Sequence, residues 1–91
     1  NMSSLKSHFQ GKVILVSGGG GSIGSELCRQ IAQLGNLGQL LVLDSNEFNL
    51  YNIEIELRRK IPGNFKILLQ SVTDRIGIRD ILQRYKPDMV F

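Results

Sequence analysis

Four glycines in a row, Gly18 to Gly21, followed by Ser22-Ile23-Gly24, are the residues of this chain best suited to hold a charged ligand. Glycine lets a backbone reverse tightly and approach a phosphate without a side chain in the way. Gly19, Gly21 and Gly24 satisfy G-x-G-x-x-G, while Gly18, Gly21 and Gly24 satisfy G-x-x-G-x-x-G, so the two patterns share their last two positions. The chemistry implied is the binding of a pyrophosphate against free N–H groups at a helix start. The rival phosphate loop G-x-x-x-x-G-K-[ST] is poorly matched, because Ser25 follows Gly24 and no lysine lies close downstream. A second group raises the specificity of the reading. Asp44 comes 20 residues after Gly24, where a carboxylate accepts hydrogen bonds from the ribose hydroxyls of a dinucleotide.

Stepping outward, the motif demands a strand before the glycines and a helix after them. Val13-Ile14-Leu15-Val16 is β-branched, apolar and too short for a helix, so it reads as a buried parallel strand. Ile23, Leu27, Ile31 and Leu34 give the next segment, about Ser22–Leu34, one apolar helical face. Gly35-Asn36-Leu37-Gly38 stops it, and Gly35 suits a left-handed cap. A second strand, Gln39–Leu43, delivers Asp44. Leu50, Ile53, Leu57 and Ile61 then mark one face of a helix within Ser45–Ile61, capped by Ser45 or Asn46 and ended by Pro62-Gly63.

The third strand is Lys66–Leu69, and Ser71-Val72-Thr73-Asp74 forms its exit loop and the cap of a third helix. Ile78, Ile81, Leu82 and Tyr85 are spaced for the buried face of that helix. Lys86-Pro87-Asp88 breaks it, and Met89-Val90-Phe91 starts a fourth strand. Strands alternating with helices predict an α/β fold: half of a Rossmann-type parallel sheet, ordered 3-2-1-4, with flanking helices. Residues 1–10 read as a linker or lead-in and 11–91 as the domain, with Phe9 packing at its edge and His8 solvated.

Bulk properties exclude several classes. The 91 residues include 42% hydrophobic and 21% charged, ordinary for one small globular domain. No apolar run reaches membrane-spanning length, and the first ten residues lack the apolar core of a signal peptide. Cys28 is alone, which argues against a disulfide or a cysteine metal site and fits a reducing compartment. The net charge of +3 is uneven, −2 over residues 1–57 and +5 over 58–91. Nucleic acid is nevertheless not an expected partner. Arg58-Arg59-Lys60 falls at a helix C-terminus, where the dipole favours cations, and no aromatic residues are interleaved with it.

The runs GKVILVSGGGGSIGSELCRQI, LVLDSNEFNLYNIEIELR, VTDR and YKPDMVF together resemble the CapD-like nucleotide-sugar 4,6-dehydratases and epimerases. These are the polysaccharide-biosynthesis branch of the extended short-chain dehydrogenase/reductase superfamily. The resemblance covers nearly all of residues 11–91. It implies an NAD(P)-binding half-domain in which Gly18, Gly21 and Gly24 form the pyrophosphate turn and Ser22 and Ile23 donate backbone N–H groups. It further implies that Asp44 and the adjacent Ser45 face the ribose, with Ser71 and Val72 at the adenine. NAD is expected over NADP, because Asp44 repels a 2′-phosphate and no arginine follows it.

Ser17 and Ser71 depart from the family pattern, which has threonine at the first position and often aspartate at the second. Family catalysis implies a Tyr-x-x-x-Lys pair, but Tyr51 is followed four residues on by Ile55 and Tyr85 by Met89. The catalytic and sugar-binding parts are therefore expected after Phe91. On this reading the piece alone is inactive, it meets its nucleotide sugar only through those parts, and it self-associates through the edge of its fourth strand. A non-catalytic nucleotide-sensing module on the same half-fold is the alternative. The resemblance also implies a cytoplasmic domain whose parent can be membrane-anchored. A branched side chain at Gly21 is expected to block the pyrophosphate, and the backbone there to adopt a φ that side chains disfavour.

Overall fold

The computed structural model describes residues 7–91. Of the lead-in expected at 1–10, residues 1–6 lie outside the described residues, and residues 7–9 are helical. The elements follow in order: β1 (Val13–Ser17), α1 (Ser22–Leu34), β2 (Gln39–Asp44), α2 (Glu47–Lys60), β3 (Phe65–Leu69), α3 (Arg75–Tyr85) and β4 (Met89–Val90). The four strands form one parallel sheet in the order β3-β2-β1-β4.

The strand order explains which helix lies on which face. Moving from β1 to β2 and on to β3 goes one way across the sheet; returning from β3 to β4 goes the other. Right-handed crossovers then place α1 and α2 on one face and α3 on the opposite one. The two cores follow suit. Ile14, Val16, Leu40 and Val42 pack with Cys28 and Ile31 of α1 and Leu50, Ile53 and Leu57 of α2. Leu15, Leu41 and Leu43 point the other way, against Ile78, Ile81 and Tyr85 of α3. Alternate residues of one strand thus serve both layers, which is why β2 reads as an uninterrupted apolar run. Its Leu40 to Leu43 are fully buried, each side chain contributing roughly 1.5–3 kcal/mol of transfer free energy.

Local chemistry sets the boundaries. Asn46 caps α2 by accepting from the Asn49 N–H at 2.9 Å, so the helix starts two residues later than Ser45. Asp74 caps α3 in the same way through the Gly77 N–H at 3.0 Å. Arg29 of α1 grips Glu56 of α2 with two bonds of 2.6 and 3.1 Å, and this pairing holds the Glu56 carboxyl below its ordinary range. Phe9 sits at the edge of the first core with its ring 6.5 Å from that of Phe91, and His8 is exposed.

Four details differ from the sequence expectation. Gly35 has φ 73° but ψ 174°, so it occupies an extended, glycine-only region instead of a left-handed helical cap. Ile23 is 86% exposed, because the first turn of α1 projects past the sheet and leaves nothing for it to pack on. Leu82 also falls outside the α3 contact with the sheet, 38% exposed, and that contact is made by Ile78, Ile81 and Tyr85. Gly21 has φ −75° and ψ 176°, an ordinary extended conformation, so no left-handed backbone requires glycine there.

Candidate functional site

The carboxyl ends of β1, β2 and β3 open onto one side of the sheet, next to the point where the strand order reverses. In open α/β sheets this is where ligands bind. The glycine turn lies there, and its glycines do different jobs. Gly18 takes φ 64°, which starts the reversal out of β1. A side chain on Gly19 would stand 2.5 Å from Val42 Cγ1, so this residue lets the turn lie flat on the sheet. A side chain on Gly20 would stand 2.6 Å from Asn49 Cβ, so it admits the first turn of α2. One on Gly24 would collide with the Gly18 carbonyl, so the start of α1 rests directly on the turn. A side chain on Gly21 would meet only the Gly18 carbonyl, at an ordinary contact distance of 3.4 Å, so space at this position is not needed for packing. The overlapping glycine patterns are thus both used: Gly18 for conformation, Gly19 for packing.

The helix start is poised for an anion. The Gly21 N–H bonds back to the Gly18 carbonyl at 3.0 Å, and the first helical bond runs from the Ser25 N–H to the Gly21 carbonyl at 2.8 Å. That leaves the N–H groups of Ser22, Ile23 and Gly24 without a hydrogen-bond partner among the described residues, and no side chain caps them. Three parallel donors at the positive end of a 13-residue helix, beside a glycine that packing does not require, make a binding place for negative charge.

Asp44 ends β2 and is tied into the turn. Its Oδ2 accepts from the Gly20 N–H at 2.9 Å and its Oδ1 from the Asn46 N–H at 2.9 Å. Each oxygen retains a further lone pair toward solvent. Neither bond could be read from spacing alone, and Gly20 was not among the site residues expected from sequence. The signal that pointed to it was only its place in the glycine run.

A cleft of about 450 Å³ continues from Asp44 and is lined by Ser17, Gly18, Leu43, Ser45, Gln70, Ser71, Val72 and Thr73. The expected residues Gly18, Asp44, Ser45, Ser71 and Val72 therefore share one cavity, while Gly21, Ser22, Ile23 and Gly24 form the neighbouring turn and helix start. Ser17, Gln70 and Thr73 also line the cleft, although none of them was expected as a ligand contact. Ser17 donates its hydroxyl to the Phe91 carbonyl at 2.7 Å, which turns it away from a ligand role. Asp74 closes the loop, and bonds from the Gly77 N–H and the Gln70 amide hold its carboxyl below the usual range. The two tyrosines lie elsewhere. Tyr51 is exposed on α2, and Tyr85, the last residue of α3, packs on the sheet with the Lys66 ammonium 5.5 Å from its ring centre. A larger cavity of about 510 Å³ lies along α1, between Phe9, Leu34 and Phe91, away from the turn and Asp44.

Comparison with known proteins places this arrangement. The chain is 32% identical over 91 residues to the probable polysaccharide biosynthesis protein EpsC of Bacillus subtilis (strain 168), covering 98% of this chain. It is 33% identical over 94 residues to the capsular polysaccharide biosynthesis protein CapD of Staphylococcus aureus, covering all of it. The chain spans 15% of the length of each of these relatives. Among solved structures, an epimerase from Methanothermobacter thermautotrophicus superposes with a TM-score of 0.69 at 25% identity, over 99% of this chain and 24% of that one. An oxidoreductase from Haemophilus influenza, solved with bound NAD, shares the fold with a TM-score of 0.70 at 21% identity, over 88% and 28%. The sequence model described as polysaccharide biosynthesis protein matches residues 14–91, nearly the whole of the described domain, and the chain belongs to that family.

Proposed function

We propose that this chain is the cofactor-holding part of an NAD-dependent nucleotide-sugar 4,6-dehydratase or epimerase serving capsular or surface polysaccharide synthesis. The observation that carries the reading is the Asp44 carboxylate, bonded to the Gly20 N–H at 2.9 Å, which joins an open glycine turn to a cleft on its far side. A dinucleotide needs that sequence of sites: donors for a pyrophosphate, a fixed acceptor for a ribose, then a pocket for a base. The family membership and the NAD carried by a protein of the same fold support the choice of ligand.

In this reading the Ser22 and Ile23 N–H groups take the pyrophosphate, and Gly21 leaves room for it. Asp44 accepts from the ribose hydroxyls, with Ser45 beside it, and Ser71 and Val72 meet the base. When bound, NAD supplies the hydride chemistry at C4 of the sugar. The protein's share in this region is position and charge. Tyr51 and Tyr85 lack a lysine four residues on, so neither forms the pair that moves the proton. That pair, and the contacts to a UDP-N-acetylhexosamine, belong to other parts of the enzyme.

The charge on Asp44 sets the cofactor preference. A 2′-phosphate would meet this carboxylate at short range, and Ser45 offers no compensating cation. Calorimetric titration should show NAD binding at least about tenfold more tightly than NADP, a difference of about 1.4 kcal/mol. Tighter binding of NADP would overturn the assignment.

A further inference from the structure

The charge of the domain is sorted between its two ends. In a parallel sheet with helical crossovers, strands begin and helices finish at the same end, opposite the carboxyl ends of the strands. Arg58, Arg59 and Lys60 lie in the last turn of α2, Arg84 in the last turn of α3, and Lys86 follows as the cap of α3. Lys12 immediately precedes β1. All six are exposed. The cleft end carries carboxylates instead: Asp44 at the tip of β2, Glu47 opening α2 and Asp74 capping α3, against the single cation Arg75 that opens α3.

Internal pairing leaves the basic excess standing. Arg58 bonds to Glu54 at 3.2 Å, but Lys12, Arg59, Lys60, Arg84 and Lys86 have no ion-pair partner among the described residues. The Asp88 carboxylate, just before β4, is already taken by the Val13 N–H at 2.8 Å. Helix dipoles favour a cation at a helix end, yet α1 finishes without one and Lys12 belongs to no helix. The cations therefore exceed what the fold itself requires.

The form of this patch selects its partner. None of the six cations lines either cavity described above, so no enclosed site gathers them around a small anion. The exposed large aromatic residues lie elsewhere, Phe48 and Tyr51 in the first two turns of α2 and Phe91 after β4, so no platform for stacking bases sits among the cations. Both basic helices meet this end by their tips, and neither offers a flank to a duplex groove. Phospholipid headgroups spread over a bilayer, by contrast, match separated cations on long flexible stems, each adding a modest attraction. We infer that this end of the domain docks on bilayers containing anionic phospholipids, with the Asp44 cleft turned away from the membrane. The inference does not depend on which ligand the cleft holds.

Co-sedimentation with lipid vesicles tests it. In low salt the wild-type chain should bind phosphatidylcholine vesicles containing about 30% phosphatidylglycerol at least about tenfold more strongly than pure phosphatidylcholine. The preference should disappear near about 0.5 M salt. Arg59→Gln with Lys60→Gln should weaken the binding by about tenfold, and Arg84→Gln with Lys86→Gln by a similar factor. Arg75→Gln with Arg79→Gln removes the same charge from the first two turns of α3 and should change it by less than about twofold. Melting curves check that each pair leaves the fold intact, and the lipid and salt dependence of the wild type needs no variant. Equal losses from all three pairs would overturn the inference, because overall charge alone would then explain the attraction. Wild-type binding that ignores lipid charge, or no binding to either vesicle, would overturn it too. Tighter binding to a DNA duplex of about 20 base pairs than to the anionic vesicles at equal salt would put nucleic acid in the place of the membrane.

Discussion

The Asp44 carboxylate and the Gly20 N–H, 24 residues apart in sequence, are joined by a hydrogen bond of 2.9 Å. This bond ties the tip of β2 to the glycine turn that follows β1. It gives Asp44 a structural role beside the ribose-facing one proposed for it, and Oδ1 is held independently by the Asn46 N–H. Two backbone amides thereby fix the carboxylate's direction before any ribose arrives, and this preorganisation reduces the ordering cost of binding.

Asp44→Ala should therefore act twice. Losing an acceptor shared by two amides should lower stability by about 1–2 kcal/mol. Losing the fixed charge should weaken NAD by about tenfold or more, the scale of one charge-assisted contact, and narrow the gap to NADP. Thermal denaturation and calorimetry on the same variant check the two effects. Unchanged selectivity between the cofactors would show that Asp44 does not face the ribose.

The glycines should separate by role. Gly24→Ala places a methyl group against the Gly18 carbonyl, a backbone atom that cannot step aside, and should cost about 3 kcal/mol. Gly21→Ala adds a methyl group at ordinary contact distance from the rest of the chain and should leave the melting temperature nearly unchanged. Comparing the two melts decides the matter. Equal destabilisation would mean that Gly21 also serves packing.

Much of this was legible in the sequence, for physical reasons that differ by element. The β2 run and the periodic face of α2 are dictated by burial on both sides of a parallel sheet, so Leu40–Leu43 and Leu50, Ile53 and Leu57 were placed correctly. Strand order followed from crossover handedness, and the glycine turn and Asp44 from their spacing. Local three-dimensional encounters were not legible. Ile23 has the spacing of a core residue, but its turn overhangs the sheet; Gly35 has the type of a left-handed cap, but the chain leaves α1 extended. The division of labour among Gly18 to Gly21 depends on Val42 and Asn49, which spacing within the run cannot show. The bond between the Ser71 and Thr73 hydroxyls at the cleft arises from a turn between residues two apart and carries no periodic signal.

Cys28 predicts a pH response. It is fully buried in the first core, and burial pushes its thiol up from 9.0 to about 12. A raised value means that the stabilisation is fully present below pH 9.0 and is lost as pH rises from there toward 12, because the unfolded thiol ionises first. Denaturant midpoints measured across that interval should fall more steeply than those of Cys28→Ala. In native buffer near pH 8 a thiol reagent should react with Cys28 only as fast as the domain opens. Rapid labelling without unfolding would show that the α1 face is not closed.

The most direct measurement is the affinity of Gly21→Val for NAD, taken beside its melting curve. Gly21 borders the place assigned to the pyrophosphate, and neither packing nor a left-handed backbone forbids a side chain there. The account predicts a melting temperature within a few degrees of wild type, together with loss of NAD binding by a factor of about 100 or more, roughly 2.7 kcal/mol. Binding of NAD by a well-folded Gly21→Val with wild-type affinity would contradict the account, because the phosphates would then not pass over this turn.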